Sequence, residues 1–424
     1  MPITPRFPPI LSQIAGLAVA DLVAEVGTPA YVYDAAKIVE RIEDLAAFDV
    51  VRFAQKACSN LAILDLCRRH GALVDAVSAW EIRRALAAGY GTEGQPPPIV
   101  YTADIFDRQS LELVRDQRVH VNCGSPDMID QLGQCCGEGE ISLRINPGFG
   151  HGHSQKTNTG GAQSKHGIWH EQLGDCLGRA ASYGLKVTGL HMHIGSGTDL
   201  QHLSQVCAAM EEAAQQVGPP LSSISAGGGL PVPYQEGEAY VDLDAYFQLW
   251  NATRQRLEER LGHPLTLEIE PGRYLTAEAG YLISEIRAIK RMGGNLFYLV
   301  DAGFNDLARP ILYGAYHPMA LAPADGATER APQEVVVGGP LCESGDIFTQ
   351  AEGGFVRSRS LPEAEVGDYL VIGVAGAYGA VMASNYNSKP LAPELLIVNG
   401  QTQLIRRRQT FAELVAGERI PPAE

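Results

Sequence analysis

Lys56 follows the apolar run "VVRFAQ", and a lysine closing a buried strand is uncommon because its ammonium is rarely buried unpaired. Two readings stand: a stem snorkelling to a rim, or a Schiff-base amine whose pKa partial burial depresses. Glu270, in "EIEPGRY", also ends an apolar run. It reads as a rim salt bridge or as a carboxylate beside a heteroaromatic nitrogen, where it favours the protonated ring. Arg273, three residues on, can reach an anion. "SAGGGLPVP" (225–233) holds Gly227, Gly228 and Gly229. Three glycines make a tight turn or expose consecutive N–H groups that wrap a phosphate. "HMHIG" and "HGHSQ" each carry an HxH pair, His191/His193 and His151/His153. On a strand both rings share a face, as in many metal sites, but the neighbouring carboxylates supply no obvious third and fourth ligand. The competing reading stacks His193 flat on a planar cofactor ring and puts Ser196 on its phosphate. Cys342, in "GGPLCESGD", is a core filler, a metal ligand, a redox group or an acid.

Between residues 50 and 270, short apolar runs alternate with Ala/Leu/Glu/Arg-rich stretches. The runs are "VVRFAQK" (50–56), "ALVDAVS" (72–78), "PIVYTAD" (98–104), "VHVNC" (119–123), "ISLRIN" (141–146), "KVTGLHMHI" (186–194), "SISAGG" (223–228) and "LTLEIEP" (265–271). Eight strands alternating with helices predict a (β/α)8 TIM-type barrel, whose chemistry sits at the C-terminal strand ends. Those ends carry Lys56, Asp75 and Ser78, Asp104, Asn122, Arg144 and Asn146, His193, Gly227 to Gly229, and Glu270. Phosphate sites in such barrels favour the loops after strands seven and eight, where the glycines fall. A lysine, a glycine run and a glutamate at successive strand ends point to pyridoxal 5'-phosphate, since ordinary side chains delocalise an α-carbanion poorly.

Beyond residue 280 the strand-like runs "LFYLVD", "EVVVGG", "YLVIGV" and "LLIVNG" come with Gly/Pro/Asn turns. They predict a C-terminal, mostly-β domain. We place the barrel at 28–280 and the β domain at 1–27 and 281–424. "LSQIAGLAVADLVAEVG" (11–27) reads as an amphipathic helix rather than a cleaved leader, because Asp21 interrupts its apolar stretch. "HPMALAPADGATERAPQ" (317–333) reads as an exposed excursion.

At 424 residues the chain is long enough for roughly two to three domains. Its formal charge of −16 argues against nucleic acid and anionic membrane as main partners. No run approaches the ~18 apolar residues of a membrane span. Eight cysteines without a CxxC read as reduced thiols of a cytoplasmic protein, and no metal is expected.

"FAQKACSN", "HMHIGSG", "SAGGGLPVPY", "EIEPGRYL", "VDAGFNDLARPILY", "GPLCESGD" and "GAYGAVMASNYNSKP" occur in this order. Together they resemble diaminopimelate decarboxylases of the bacterial type, from about residue 28 to 410. The resemblance implies an alanine-racemase-like barrel, a C-terminal β domain and pyridoxal 5'-phosphate. It implies decarboxylation of meso-2,6-diaminoheptanedioate to L-lysine and CO2, the last step of lysine biosynthesis. By the same resemblance Lys56 forms the internal aldimine, His193 stacks on the ring, and Glu270 partners the ring nitrogen. Ser196 and Gly227 to Gly229 cradle the phosphate, with Gly272 and Arg273 nearby, and Asp75 lies in the cofactor pocket. Arg273, Arg309 and Tyr313 bind carboxylate, Glu343 lies near the distal amine, Tyr378 touches cofactor and substrate, and Cys342 gives the proton. A homodimer with shared active sites is implied. Diaminopimelate carries a distal carboxylate and a distal ammonium, so Arg309 with Glu343 favours it over ornithine. The chain departs from many relatives at Cys58, at Val374-Ala375, where an acidic residue is common, and at Lys389.

Overall fold

Parallel strands cannot be joined by a hairpin, so each apolar run needs a crossover, which the Ala/Leu-rich stretches supply as helices. The structure is a computed structural model and describes residues 7–150, 160–193 and 199–422. Eight strands form the barrel of the first unit: β1 (Val50–Ala54), β2 (Leu73–Ala76), β3 (Ile99–Ala103), β4 (His120–Cys123), β5 (Gly139–Asn146), β6 (Leu185–His191), β7 (Ser223–Ser225) and β8 (Thr266–Ile269). Each pairs in parallel with the next, and β8 pairs with β1, so the sheet closes into the expected barrel. Several crossover helices start on side-chain caps that satisfy free N–H groups. Asn60 accepts from Ala62 N, Ser78 from Glu81 N and Asp107 from Ser110 N. Ser78, a strand-end candidate by sequence, is therefore a helix cap.

Alternation along the strands points every second side chain inward. Here the inward set is polar: Arg52, His120, Asn122, Ser142, Ser223 and Glu268 all line a cavity of about 270 Å³. Arg52 is 1% exposed. Its Nη2 lies 3.1 Å from Glu268 Oε2, and its Nη1 donates to Pro97 O at 2.8 Å. A buried guanidinium needs this much pairing to offset its desolvation.

The barrel unit comprises Val39–Val232 and Tyr240–Leu275. Residues 7–38, 233–239 and 276–422 belong to the second unit. Its nine-stranded sheet is centred on the long strand Gly280–Met292. The strand Ala30–Asp34 pairs antiparallel with that strand and parallel with Glu394–Val398, so "AYVYD" is sheet, not barrel. Ile14, Leu22, Val32, Ile283, Val371 and Leu395 pack its core.

Two expectations are corrected. Residues 11–27 are not one helix: Gln13–Ile14 and Leu17–Ala18 pair antiparallel, and a helix runs only over Val19–Val26. Ala15 and Gly16 have φ of 47° and 83°, the two left-handed residues that a tight hairpin needs. Nor is 317–333 exposed throughout, because Met319–Ala322 is a buried strand paired with Tyr369–Ile372.

Gly376 lies against other backbone inside the second unit. A β-carbon there would fall 2.0 Å from Thr276 O and 2.8 Å from Gly280 N. Neither atom can swing away, so Gly376→Ala is expected to lower unfolding stability by about 1–3 kcal/mol. Urea denaturation measures it, and an unchanged midpoint would refute the packing argument.

Candidate active site

β1 runs into a 3-10 turn, Gln55–Ala57, that buries Gln55 and Ala57 and leaves Lys56 outward. Gln55 Nε2 fixes the turn by donating to the carbonyls of Asp75 and Glu81, both at 3.2 Å. Lys56 is exposed in the single chain rather than partly buried, which corrects the expectation of partial burial.

Glu270 sits just past β8, its backbone N donating to Gly227 O at 2.9 Å. Its carboxylate is buried. Ser225 Oγ donates to Oε1 at 2.7 Å. His191 Nε2 lies 3.0 Å from Oε2, though the ring is not aimed squarely along that line. Burial alone would push this carboxyl up. The charge and contact of His191, the Ser225 hydroxyl and the Arg52 guanidinium overcome it and hold Glu270 well below the usual carboxylate range. Asp75, at the end of β2, goes the other way. Burial and the Glu270 charge push it up to about 7 against a Thr102 hydrogen bond and the Lys56 charge.

The glycine run interlocks with these groups. Gly227 and Gly229 have φ of 63° and 100°. A β-carbon on Gly227 would lie 2.6 Å from Met192 O, and one on Gly228 2.5 Å from Glu270 O. Only bare backbone fits in this turn, and the Gly227 N–H is itself taken by Ser225 Oγ at 3.1 Å. His193 Nδ1 bonds Gly228 O at 3.1 Å. Burial and the charges of Arg144 and Lys56 hold His193 well below its ordinary value, so it is a neutral, flat ring. A β-carbon on Gly272 would lie 3.2 Å from Ala54 O, and half-buried Arg273 opens the short helix Arg273–Thr276. A neutral ring, a buried anion, a glycine cradle and an outward amine on one barrel end are the donor set a pyridoxal phosphate needs. Ser196, His151 and His153 lie outside the described residues.

In the second unit, Arg309 and Tyr313 share the short helix Arg309–Tyr313. Arg309 is buried, with Nη1 3.0 Å from Tyr234 Oη and 2.9 Å from His317 Nε2, and its guanidinium lies 5.0 Å from the Tyr234 ring centre. Tyr313, Cys342 and Glu343 are exposed. Cys342 N donates to Asn387 Oδ1 at 2.8 Å, which fixes the backbone that presents the thiol. Tyr378 is half-buried with φ of 56°, and Val374, in the same segment, has φ of 53°. A β-branched residue in that region is an outlier.

Residues 35–277 match the family model described as "Pyridoxal-dependent decarboxylase, pyridoxal binding domain". A diaminopimelate decarboxylase of Escherichia coli strain K12 is 57% identical over 94% of this chain and 95% of its own. This chain belongs to the diaminopimelate decarboxylase family. The crystal structure of a diaminopimelate decarboxylase matches it at a TM-score of 0.91 with 57% identity, covering 93% of this chain and 94% of that one. The Helicobacter pylori diaminopimelate decarboxylase complexed with L-lysine matches at 0.84 with 30% identity, covering 94% and 98%. Like the diaminopimelate decarboxylases it resembles, the chain is a pyridoxal-phosphate-dependent amino-acid decarboxylase, a carbon-carbon lyase.

Sequence reasoning on this diaminopimelate decarboxylase relative missed Ser225 and weighed His191 only as a metal ligand. Both are contacts of Glu270. The signal was present as polar residues at every second position of "SIS" and "TLEIE", which is not how a dry barrel strand reads. Among the described residues no group of three or more His, Cys, Asp or Glu could hold a metal ion. No described helix is long and apolar enough to cross a membrane.

Asp75 generates a pH prediction for the cofactor-free protein. Its carboxyl has an ordinary value of 3.8 and a folded value of about 7, so between them the folded chain keeps a proton that the unfolded chain has lost. The stability this group contributes is full below about 4 and is lost as pH rises to about 7. Asp75→Asn is expected to flatten that fall in urea titrations across the range, and an unaltered slope would contradict the assignment.

Proposed function

We propose that this protein decarboxylates meso-2,6-diaminoheptanedioate to L-lysine and CO2, the last step of lysine biosynthesis. The observation that carries the substrate is the 57% identity, over nearly the whole chain, with a diaminopimelate decarboxylase. The H. pylori relative complexed with L-lysine fits a product of that class. Side chains of both signs in the second unit support it: Arg309 matches the distal carboxylate in bidentate fashion, and Glu343 the distal ammonium.

The cofactor, when bound, supplies the electron sink that no side chain here provides. Lys56 Nζ is its covalent anchor. Gly227 to Gly229, Gly272 and Arg273, with Ser196, hold its phosphate through backbone N–H groups and charge. His193 covers one ring face, and Glu270 faces the ring nitrogen and favours its protonated form. Asp75 lies beside the Lys56 charge in the same pocket. Arg273, Arg309 and Tyr313 take the substrate carboxylates, and Tyr378 contacts substrate and cofactor. The α-carboxylate leaves as CO2, its bonding electrons stay with the α-carbon, and the Cys342 thiol delivers the proton that replaces it.

We read the active unit as a cytoplasmic homodimer in which the Cys342–Glu343 segment of one copy serves the barrel of the other. Two features support it. That segment is solvent-facing in the single chain, and Leu61, Val77, Trp80 and Ile105, which follow the C-terminal ends of β1 to β3, are exposed apolar side chains, Trp80 by 65% and Ile105 by 71%. The described cysteines are all free thiols, as in a reducing compartment.

The purified chain with pyridoxal phosphate and meso-diaminopimelate is expected to release CO2 and form lysine, and borohydride reduction followed by peptide mapping should find the cofactor on Lys56. No lysine across a range of pH, or a label elsewhere, would sink the respective assignment. Cys342→Ala is expected to lower kcat by about 10²–10⁴-fold. Mixed with an equally inactive Lys56→Ala chain it should recover part of the activity, because a shared-site dimer of the two contains one intact site. A mixture that stays inactive would make each subunit self-contained.

A further inference from the structure

His191 has no assigned part in the reaction, yet it is among the most deeply placed polar groups of the barrel. It closes β6, is 3% exposed, and stands opposite Arg144 in the β5–β6 register. Its Nε2 lies 3.0 Å from Glu270 Oε2, while Ser225 occupies Oε1. Oε1 is thus hydrogen-bonded from within the barrel, and Oε2 faces the imidazole at ion-pair distance, off the line of a hydrogen bond. The other ring nitrogen, Nδ1, is buried and has no protein partner among the described residues. His191 lines the interior cavity of about 270 Å³, together with Ser142, Thr188, Ser223, Glu268 and Glu270. That space is polar and has room for several waters, the condition under which buried water is held rather than excluded. A water hydrogen-bonded to Nδ1 braces the ring with Nε2 turned toward Glu270.

We propose that His191 is a positioning residue: braced from below by water in the barrel cavity, it holds the Glu270 carboxylate charged and aligned for the cofactor ring nitrogen. The proposal rests on Glu270 as the ring-nitrogen partner. The alternative is a packed core histidine that happens to border a carboxylate. The other charged or titratable groups around the ring are Arg144, His193, Arg52 with Glu268, and Asp75 across Glu270. Among the described residues none of them makes a hydrogen bond or ion pair to Oε2 in its place. A histidine doing this acts as outer partners of metal ligands do, and losing such a partner costs roughly 10–100-fold in activity.

The test uses the full-length holoenzyme and follows the absorbance of the bound cofactor against pH beside kcat and KM. His191→Phe keeps the ring volume and removes the donor. It is expected to shift the titration of the cofactor band by about one pH unit or more and to lower kcat about 10–100-fold, with KM within about threefold. His191→Gln, which keeps an N–H donor, should recover most of both. An unaltered band and kcat in His191→Phe, or a loss that His191→Gln does not repair, overturns the proposal. If His191→Phe does not fold, His191→Ala with added imidazole takes its place. Restoration by imidazole supports the proposal, and either no loss or no restoration overturns it. Glu270→Gln is measured alongside. A changed band there with an unchanged band in the His191 variant removes only the role of His191, whereas an unchanged band in Glu270→Gln removes the Glu270 reading beneath it.

Discussion

A carboxylate sealed from water stays an anion only if the protein replaces what water gave it, and burial otherwise drives it to take up a proton. Glu270 meets that constraint with a hydroxyl from β7, an imidazole from β6 and a guanidinium from β1. Three strands must therefore bring side chains toward one place for one carboxylate to keep its charge. The neighbouring carboxyl shows what happens without such support, since Asp75 is driven toward neutrality partly by the charge that Glu270 keeps. Glu270 thus keeps its charge while Asp75 beside it holds its proton more readily.

The same need explains the unusual interior. A barrel of this type is ordinarily filled by layers of branched apolar side chains. Here arginine, histidine, serine, threonine and glutamate take those inward positions on β1, β4, β5, β6, β7 and β8. The Arg52–Glu268 pair neutralises itself and still lends part of its positive field to Glu270. The glycines complete the arrangement from the other side, because Gly228 lets the backbone lie against Glu270 O with no side chain between them.

Much of this was legible beforehand. The eight apolar runs each overlap one barrel strand, because parallel strands buried on both faces leave a run that turns and helices interrupt. Lys56, Asp75, Gly227 to Gly229 and Glu270 do fall at one end of that barrel. Less legible was whatever depends on a partner distant in sequence. Nothing local announces that Ala30–Asp34 pairs with strands some 250 and 360 residues later, so the boundary between units was drawn too early. The Ala15–Gly16 turn was hidden because helical periodicity and a short hairpin share the same apolar spacing over a few residues. His191 and Ser225 look unremarkable until the barrel closes and turns both toward one carboxylate.

The segment around Tyr378 bears on heat tolerance. Two non-glycine residues within five positions hold left-handed backbone, and one of them, Val374, is β-branched. Such a conformation carries a penalty on the order of 1–3 kcal/mol that the rest of the sheet must absorb. Asparagine, aspartate or glycine would occupy Val374 with less strain. Relieving the strain at Val374 is therefore a route to greater heat tolerance that leaves the side chain of Tyr378 in place.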